Sequence, residues 1–277
     1  MIVCKEFPSK TFRDTDEMFK ALRENKDTLI AQKKMKTKEA DAVVLVPTIS
    51  NKKGETLKAD NINISDINKL KLKLVINTTN VMDSHSDVHL KGIWKKSVKE
   101  NKNIHLLQEH RMKFDHIITD DVKASVQLMK WSDLGQNFQG NTEALVFDAE
   151  IDKRNEFMFN QYAKGYVKNH SVGMRYVKIE LAINSESKWD VEEKEIWDKY
   201  IDEVANKEQA EEKGYFWAVT EAKIIEGSAV PIGSNTITPT LEVEVKNNEP
   251  SNDTQKQEEA EKSLQKRKQL IINTLNH

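Results

Sequence analysis

The chain has 277 residues, 38% hydrophobic and 32% charged, enough for one large domain or two modest ones with extensive polar surface. A formal charge of -2, with acidic residues interleaved among the lysines, argues against broad attraction to nucleic acid. One cysteine, Cys4, excludes an intrachain disulfide and reads as incidental rather than as a reactive thiol.

The opening M-I-V-C-K-E-F-P-S-K lacks the apolar stretch of a signal peptide, and no later run is long enough to span a bilayer. A reducing cytoplasm is the simplest compartment. Residues 12–39 carry partial helical spacing through Met18, Phe19, Leu22 and Leu29, then become lysine-rich. Residues 41–49 read as a short buried strand stopped by Pro47, and 51–69 as a loop or weakly ordered connector. Residues 1–69 therefore form an N-terminal extension without an identifiable active site: a propeptide, an extra structural layer or an assembly contact.

From Leu70 the pattern tightens. Leu72, Leu74 and Ile76 alternate with Lys71, Lys73 and Val75, as in a half-buried strand. A polar turn leads to Leu90, Ile93, Trp94 and Ser97/Val98, which fall on one helical face. The apolar run 104–107 ends just before Gln108-Glu109-His110. Strand-like patterns follow at about 117–131 and 143–151. Residues 154–166 favour a helix with Phe157, Met158 and Tyr162 on its apolar side, ended by Gly165. Ser171 follows at once, opening the alternating run V-G-M-R-Y-V-K-I-E-L-A-I.

Residues 185–214 hold sixteen charged side chains, eleven acidic and five lysine, and predict an exposed amphipathic helix inserted between strands. Strand character returns at Tyr215 and continues to Val230, ending at Pro231. Beyond Thr240 the composition predicts a flexible linker and a short charged helix. The expected organisation is an extension (1–69), a compact module (70–238) and a flexible charged tail (239–277).

The organised region contains the parts of a serine hydrolase. A serine hydroxyl is a poor nucleophile until a histidine takes its proton, and a carboxylate can fix the imidazole tautomer and stabilise the imidazolium. His110, Ser171 and Glu226 can fill these roles, and Gly173 can permit close backbone approach beside the serine. Taken locally, each also has an ordinary structural explanation: a serine at a strand start, a histidine at a polar turn, a glutamate on a strand face. Glu226 lies in K-I-I-E-G-S-A-V-P, and a carboxylate turned inward there needs a partner. His170 adjoins Ser171, but adjacent strand residues point to opposite faces, which argues against His170 as the base.

Asp83, His85, Asp87 and His89 invite a metal reading, set against a solvated or capping cluster, since no second ligand group and no H-E-x-x-H accompanies them. No phosphate loop, dinucleotide fingerprint or G-x-S-x-G elbow is present. The aromatic residues read as packing rather than base stacking, because they do not lie within a basic stripe.

Four stretches carry a further signal in order: N-V-M-D-S-H-S-D-V-H-L-K-G-I-W-K-K-S-V, H-L-L-Q-E-H, K-N-H-S-V-G-M and A-K-I-I-E-G-S-A-V-P-I-G-S-N. Together they resemble the prohead serine proteases of tailed bacteriophages, related in fold to herpesvirus maturation proteases, over most of 70–238. The resemblance implies an α+β, mainly β fold: a compact, mostly antiparallel β-barrel surrounded by helices. It also implies peptide-bond hydrolysis during procapsid maturation, with His110 as base, Ser171 as nucleophile and Glu226 as third member. Scaffold protein or a precursor segment of the major capsid protein is the implied substrate, with self-cleavage alongside. A homodimer in the bacterial host cytoplasm, inside the assembling procapsid, is the implied setting. No metal or organic cofactor, nucleic acid or membrane is called for. Gly227 replaces the family's usual small aliphatic residue, and Ile232-Gly233-Ser234-Asn235 departs from its P-A-N ending. The alternatives are a catalytically inactive protease-like scaffold or assembly factor, and a soluble β-rich interaction domain.

Overall fold

The computed structural model describes residues 1–41, 48–50, 56–57, 67–101, 103–231 and 240–247. A hairpin of β1 (Ile2–Val3) and β2 (Thr11–Phe12) opens the chain, followed by α1 (Thr15–Glu24), α2 (Lys26–Met35) and β3 (Lys38–Asp41). Strands β4 (Thr48–Ser50), β5 (Thr56–Leu57), β6 (Ile67–Thr78) and β7 (Asp87–His89) lead to α3 (Lys95–Glu100). Then come β8 (Leu106–Gln108), β9 (Ile117–Thr119), β10 (Val122–Lys130), β11 (Asn141–Asp152) and α4 (Glu156–Ala163). The long strand β12 (Asn169–Ile183) precedes α5 (Val191–Tyr200) and α6 (Lys207–Lys213). Strands β13 (Tyr215–Val230) and β14 (Thr240–Asn247) complete the described chain.

Six α-helices and two large sheets among the described residues make a mixed α and β fold. One sheet runs β10-β11-β6-β14-β4-β5; the other runs β3-β12-β13-β8-β9, with β7 also paired to β13. Most pairings are antiparallel, but β13 pairs in parallel with both β7 and β8, and β14 with β4. The alternation in β6 places Leu70, Leu72, Leu74 and Ile76 in one buried apolar cluster with Phe147 of β11 and with Val172 and Trp217 of the second sheet. That shared apolar layer fixes the relation between β12, β13 and the rest of the fold.

Several boundaries differ from expectation. The N-terminal segment is part of the main core: Cys4, Phe12, Met18, Phe19, Leu22 and Leu29 are all buried in it. Residues 240–247, expected in a flexible tail, pair with β6 as β14. The compact body thus extends past 70–238 at both ends. Most of 41–49 and 51–69, and everything past 247, lies outside the described residues.

The charged insertion forms two short helices, not one exposed helix, and its apolar residues Trp197, Ile201, Val204 and Ala210 join a second core with Phe216 and Ala218. Its buried acids are paired from afar, Asp190 with Arg23 and Glu193 with Lys26 at 2.5 Å. In α4, Phe157 points to solvent while Met158, Phe159 and Tyr162 are buried. Helix α3 starts only at Lys95; Leu90, Ile93 and Trp94 are buried in the turn before it.

Candidate active site

Two neighbouring strands build the site. In the β12–β13 ladder Ser171 stands opposite Ser228, Val172 opposite Gly227 and Gly173 opposite Glu226, with the register intact across these three pairs. Facing residues of an antiparallel ladder project to the same side, with Cα atoms roughly 4.5–5.5 Å apart. Ser171, Gly173, Glu226 and Ser228 therefore share one face. Val172 and Ala229 turn to the opposite, core face, where Gly227 also lies against the Phe147 ring.

The absence of a side chain at 173 is required. A Cβ there would overlap the Glu226 carboxylate at Oε1. Gly173 thus makes the space into which Glu226 folds. The register shifts immediately after Gly173, so the site occupies the last regular pairs before an irregularity in the ladder.

His110 reaches this face from β8, which runs parallel to β13 beside Gly227–Ala229. The chain turns sharply after β8: Arg111 N–H donates to Gln108 O at 3.1 Å, while Glu109 and His110 hold φ of 53° and 56°. This is the pattern of a mirror-image tight turn, usually built from glycine or asparagine. Left-handed backbone costs a non-glycine residue about 1–2 kcal/mol, so other contacts must hold the turn. They do: Glu109 N–H donates to Ala229 O at 2.9 Å and His110 N–H to Ser228 Oγ at 3.1 Å.

The turn delivers the imidazole to the carboxylate. His110 Nδ1 lies 2.6 Å from Glu226 Oε1, and the Ser228 hydroxyl donates to Glu226 Oε2 at 2.6 Å. With Glu226 ionised, Nδ1 carries the proton and the opposite ring nitrogen, Nε2, is the basic one. The side chains of Glu226 and His110 are 4% and 12% exposed, so the pair sits in a largely water-free environment that strengthens it. Ser171 is completely buried, and among the described residues its Oγ has no hydrogen-bond partner. Ser228 Oγ, in contrast, is committed to two partners.

The other sequence candidates take structural roles. His170 points to the core face, fully buried, with Nε2 2.9 Å from Tyr162 Oη. Burial pushes its pKa down to about 3, so the ring is neutral. In the D-S-H-S-D-V-H run, Asp83 Oδ1 accepts the backbone N–H of His85 and Asp87 at 2.7 and 2.9 Å, a local turn. Asp87, buried, binds Lys33 at 2.5 Å and Lys38 at 3.6 Å and accepts the Tyr176 hydroxyl at 2.9 Å. Since that hydroxyl proton goes to Asp87, His89 Nε2, 3.0 Å from Tyr176 Oη, is the donor to it. Cys4 lies against Glu6 and Tyr215, and burial pushes its thiol up to about 11.

Of the three residues that the sequence offers as a site, the fold brings His110 and Glu226 into contact on the face that bears Ser171. Ser228 joins them unanticipated, although E-G-S at strand spacing already puts it on the same face as Glu226. No protein-family model, curated protein or solved structure matches this chain.

Proposed function

We propose that the protein is a serine endopeptidase, with Ser171 as nucleophile, His110 as general base and Glu226 as the orienting carboxylate. The observation that carries this reading is the 2.6 Å contact between His110 Nδ1 and Glu226 Oε1 on the sheet face shared with Ser171. Ser171 Oγ attacks the scissile carbonyl while His110 Nε2 takes its proton, and the histidine then protonates the leaving amine. Water activated by the same nitrogen hydrolyses the acyl-enzyme. Glu226 holds the Nδ1 proton throughout and stabilises the imidazolium.

The motif order resembling phage prohead proteases extends the proposal to substrate and setting. The substrates are precursor segments of scaffold or major capsid protein, and the chain itself, cleaved by a homodimer within an assembling procapsid in the host cytoplasm. The described residues form two large, mostly antiparallel sheets in open strand order; the barrel architecture of that group is part of the same proposal. Among the described residues, no helix is long and apolar enough to cross a membrane.

One observation favours a second reading. Ser171 has no exposed surface, which suits an assembly factor that keeps a protease-like domain without turnover. The test is incubation of the full chain, beside Ser171→Ala, with capsid or scaffold precursors and separately with a serine-directed fluorophosphonate. The proteolytic reading expects cleavage and labelling by the parent chain only. Cleavage that persists in the alanine variant removes Ser171 as nucleophile; absence of both cleavage and labelling supports the assembly factor.

A further inference from the structure

We infer that Ser228 is a positioning residue for this site, holding with one hydroxyl both the carboxylate that orients His110 and the backbone turn that carries it. The inference rests on the proteolytic reading for its rate measurements, but not for its spectroscopic one.

A serine hydroxyl has one proton and two lone pairs. In Ser228 the proton goes to Glu226 Oε2 at 2.6 Å, and a lone pair receives the His110 backbone N–H at 3.1 Å. The residue has no exposed surface, so water does not compete for either bond. Glu226 is thereby satisfied on both oxygens, Oε1 by the imidazole and Oε2 by Ser228. A glutamate side chain has three torsions. Anchoring its second oxygen from two residues along the same strand face removes most of that freedom before His110 arrives.

The bond to His110 N–H acts on the other half of the pair. Both Glu109 and His110 hold left-handed backbone, a conformation that relaxes unless it is restrained. Ser228 Oγ restrains it from β13, together with the Ala229 carbonyl. The same geometry separates the two facing serines by role. The Ser228 proton is already donated to the Glu226 carboxylate rather than to the imidazole, whereas Ser171 Oγ is uncommitted among the described residues.

Removing the hydroxyl leaves the His110 N–H and Glu226 Oε2 without this shared partner, so the ring and carboxylate lose their fixed relation while both remain present. Groups that orient a reacting side chain from behind typically change activity 10–100-fold, by analogy with those behind metal ligands.

The experiment compares the full chain with Ser228→Ala, Ser228→Cys and Ser228→Thr, alongside Glu226→Gln. The first readout is the downfield proton resonance of His110 Nδ1–H, which needs no turnover. It is expected in the parent chain and in Ser228→Thr, weakened in Ser228→Cys and lost in Ser228→Ala and Glu226→Gln. The second is fluorophosphonate labelling of Ser171 against pH. Ser228→Ala is expected to label about 10–100-fold more slowly with a displaced acid limb, and Ser228→Thr to recover most of the rate. If Ser228→Ala does not fold, Ser228→Cys against Ser228→Thr decides on the same two readouts. A resonance and a labelling profile unchanged by loss of the hydroxyl overturn the inference. A resonance that depends on Ser228 in a chain that never labels leaves the positioning role standing and defeats the proteolytic reading instead.

Discussion

Glu226 serves two donors with two oxygens, and that arrangement decides what its amide would do. A glutamine at 226 has one acceptor oxygen for two donors, the His110 Nδ1 proton and the Ser228 hydroxyl. If the oxygen faces Ser228, the amide N–H₂ meets Nδ1, which must then become an acceptor. The proton moves to Nε2, the nitrogen that receives the Ser171 proton in the proposed mechanism. If the oxygen faces His110, the tautomer survives but the charge that stabilises the imidazolium is gone. Glu226→Gln is therefore expected to lower kcat by about 10²–10⁴-fold with a smaller change in KM, measured on a precursor peptide. A rate within a few-fold of the parent chain would remove Glu226 from the mechanism. His110 and Glu226 were legible as candidates because His110 follows an apolar run at a polar turn and Glu226 interrupts an apolar strand. The Glu226–Ser228–His110 link was not, since it depends on a parallel strand pairing that brings His110 to Ser228, 118 residues away along the chain.

Strands β12 and β13 set two glycines on opposite faces of one ladder, which separates packing from chemistry. Gly173 leaves room for the Glu226 carboxylate, and Gly227 leaves room for the Phe147 ring on the core face. A methyl group at either position forces its neighbour to move, and such overpacking costs typically about 1–3 kcal/mol. Gly173→Ala and Gly227→Ala are thus expected to lose comparable stability in urea. Only Gly173→Ala should also lose labelling of Ser171 per folded molecule, because it drives Glu226 off His110. Equal labelling by the two variants would show that the space at Gly173 does not serve the carboxylate. Element positions such as β6 and β12 were readable because alternation is a local property. The 185–214 insertion departs from expectation for the converse reason. Its acids suggested solvent, but Asp190 and Glu193 are buried against Arg23 and Lys26, cations contributed from the start of the chain.

On the scale of the whole molecule, the N-terminal segment and the two sheets enclose ionisable groups whose titration makes stability depend on pH. Buried His170 and His89 have pKa values pushed down to about 3 and about 4, chiefly by desolvation, against 6.5 for a free histidine. An unfolded chain protonates both below about pH 6.5, while the folded chain does not until far lower, so their contribution is intact above that pH and falls with acidification. Asp83 opposes them. Burial first, then the neighbouring Asp87 charge, raises it to about 6 from 3.8, so between those values the folded chain holds the extra proton and Asp83 favours folding as pH falls. Two protons taken up by the unfolded state outweigh one by the folded state. Net stability from these three groups should fall as pH drops from about 6 towards 4, by about 1.4 kcal/mol per unit where one proton separates the states. Asp83→Asn keeps an oxygen to accept the His85 and Asp87 N–H groups but cannot take up the proton. It should be more stable than the parent chain at pH 7 and lose stability more steeply towards pH 4.5. Urea midpoints for the two chains at pH 7, 6, 5 and 4.5 measure both slopes. A parent midpoint that rises with acidification, or an Asp83→Asn slope shallower than the parent's, would show that these buried groups do not control the acid side of the stability curve.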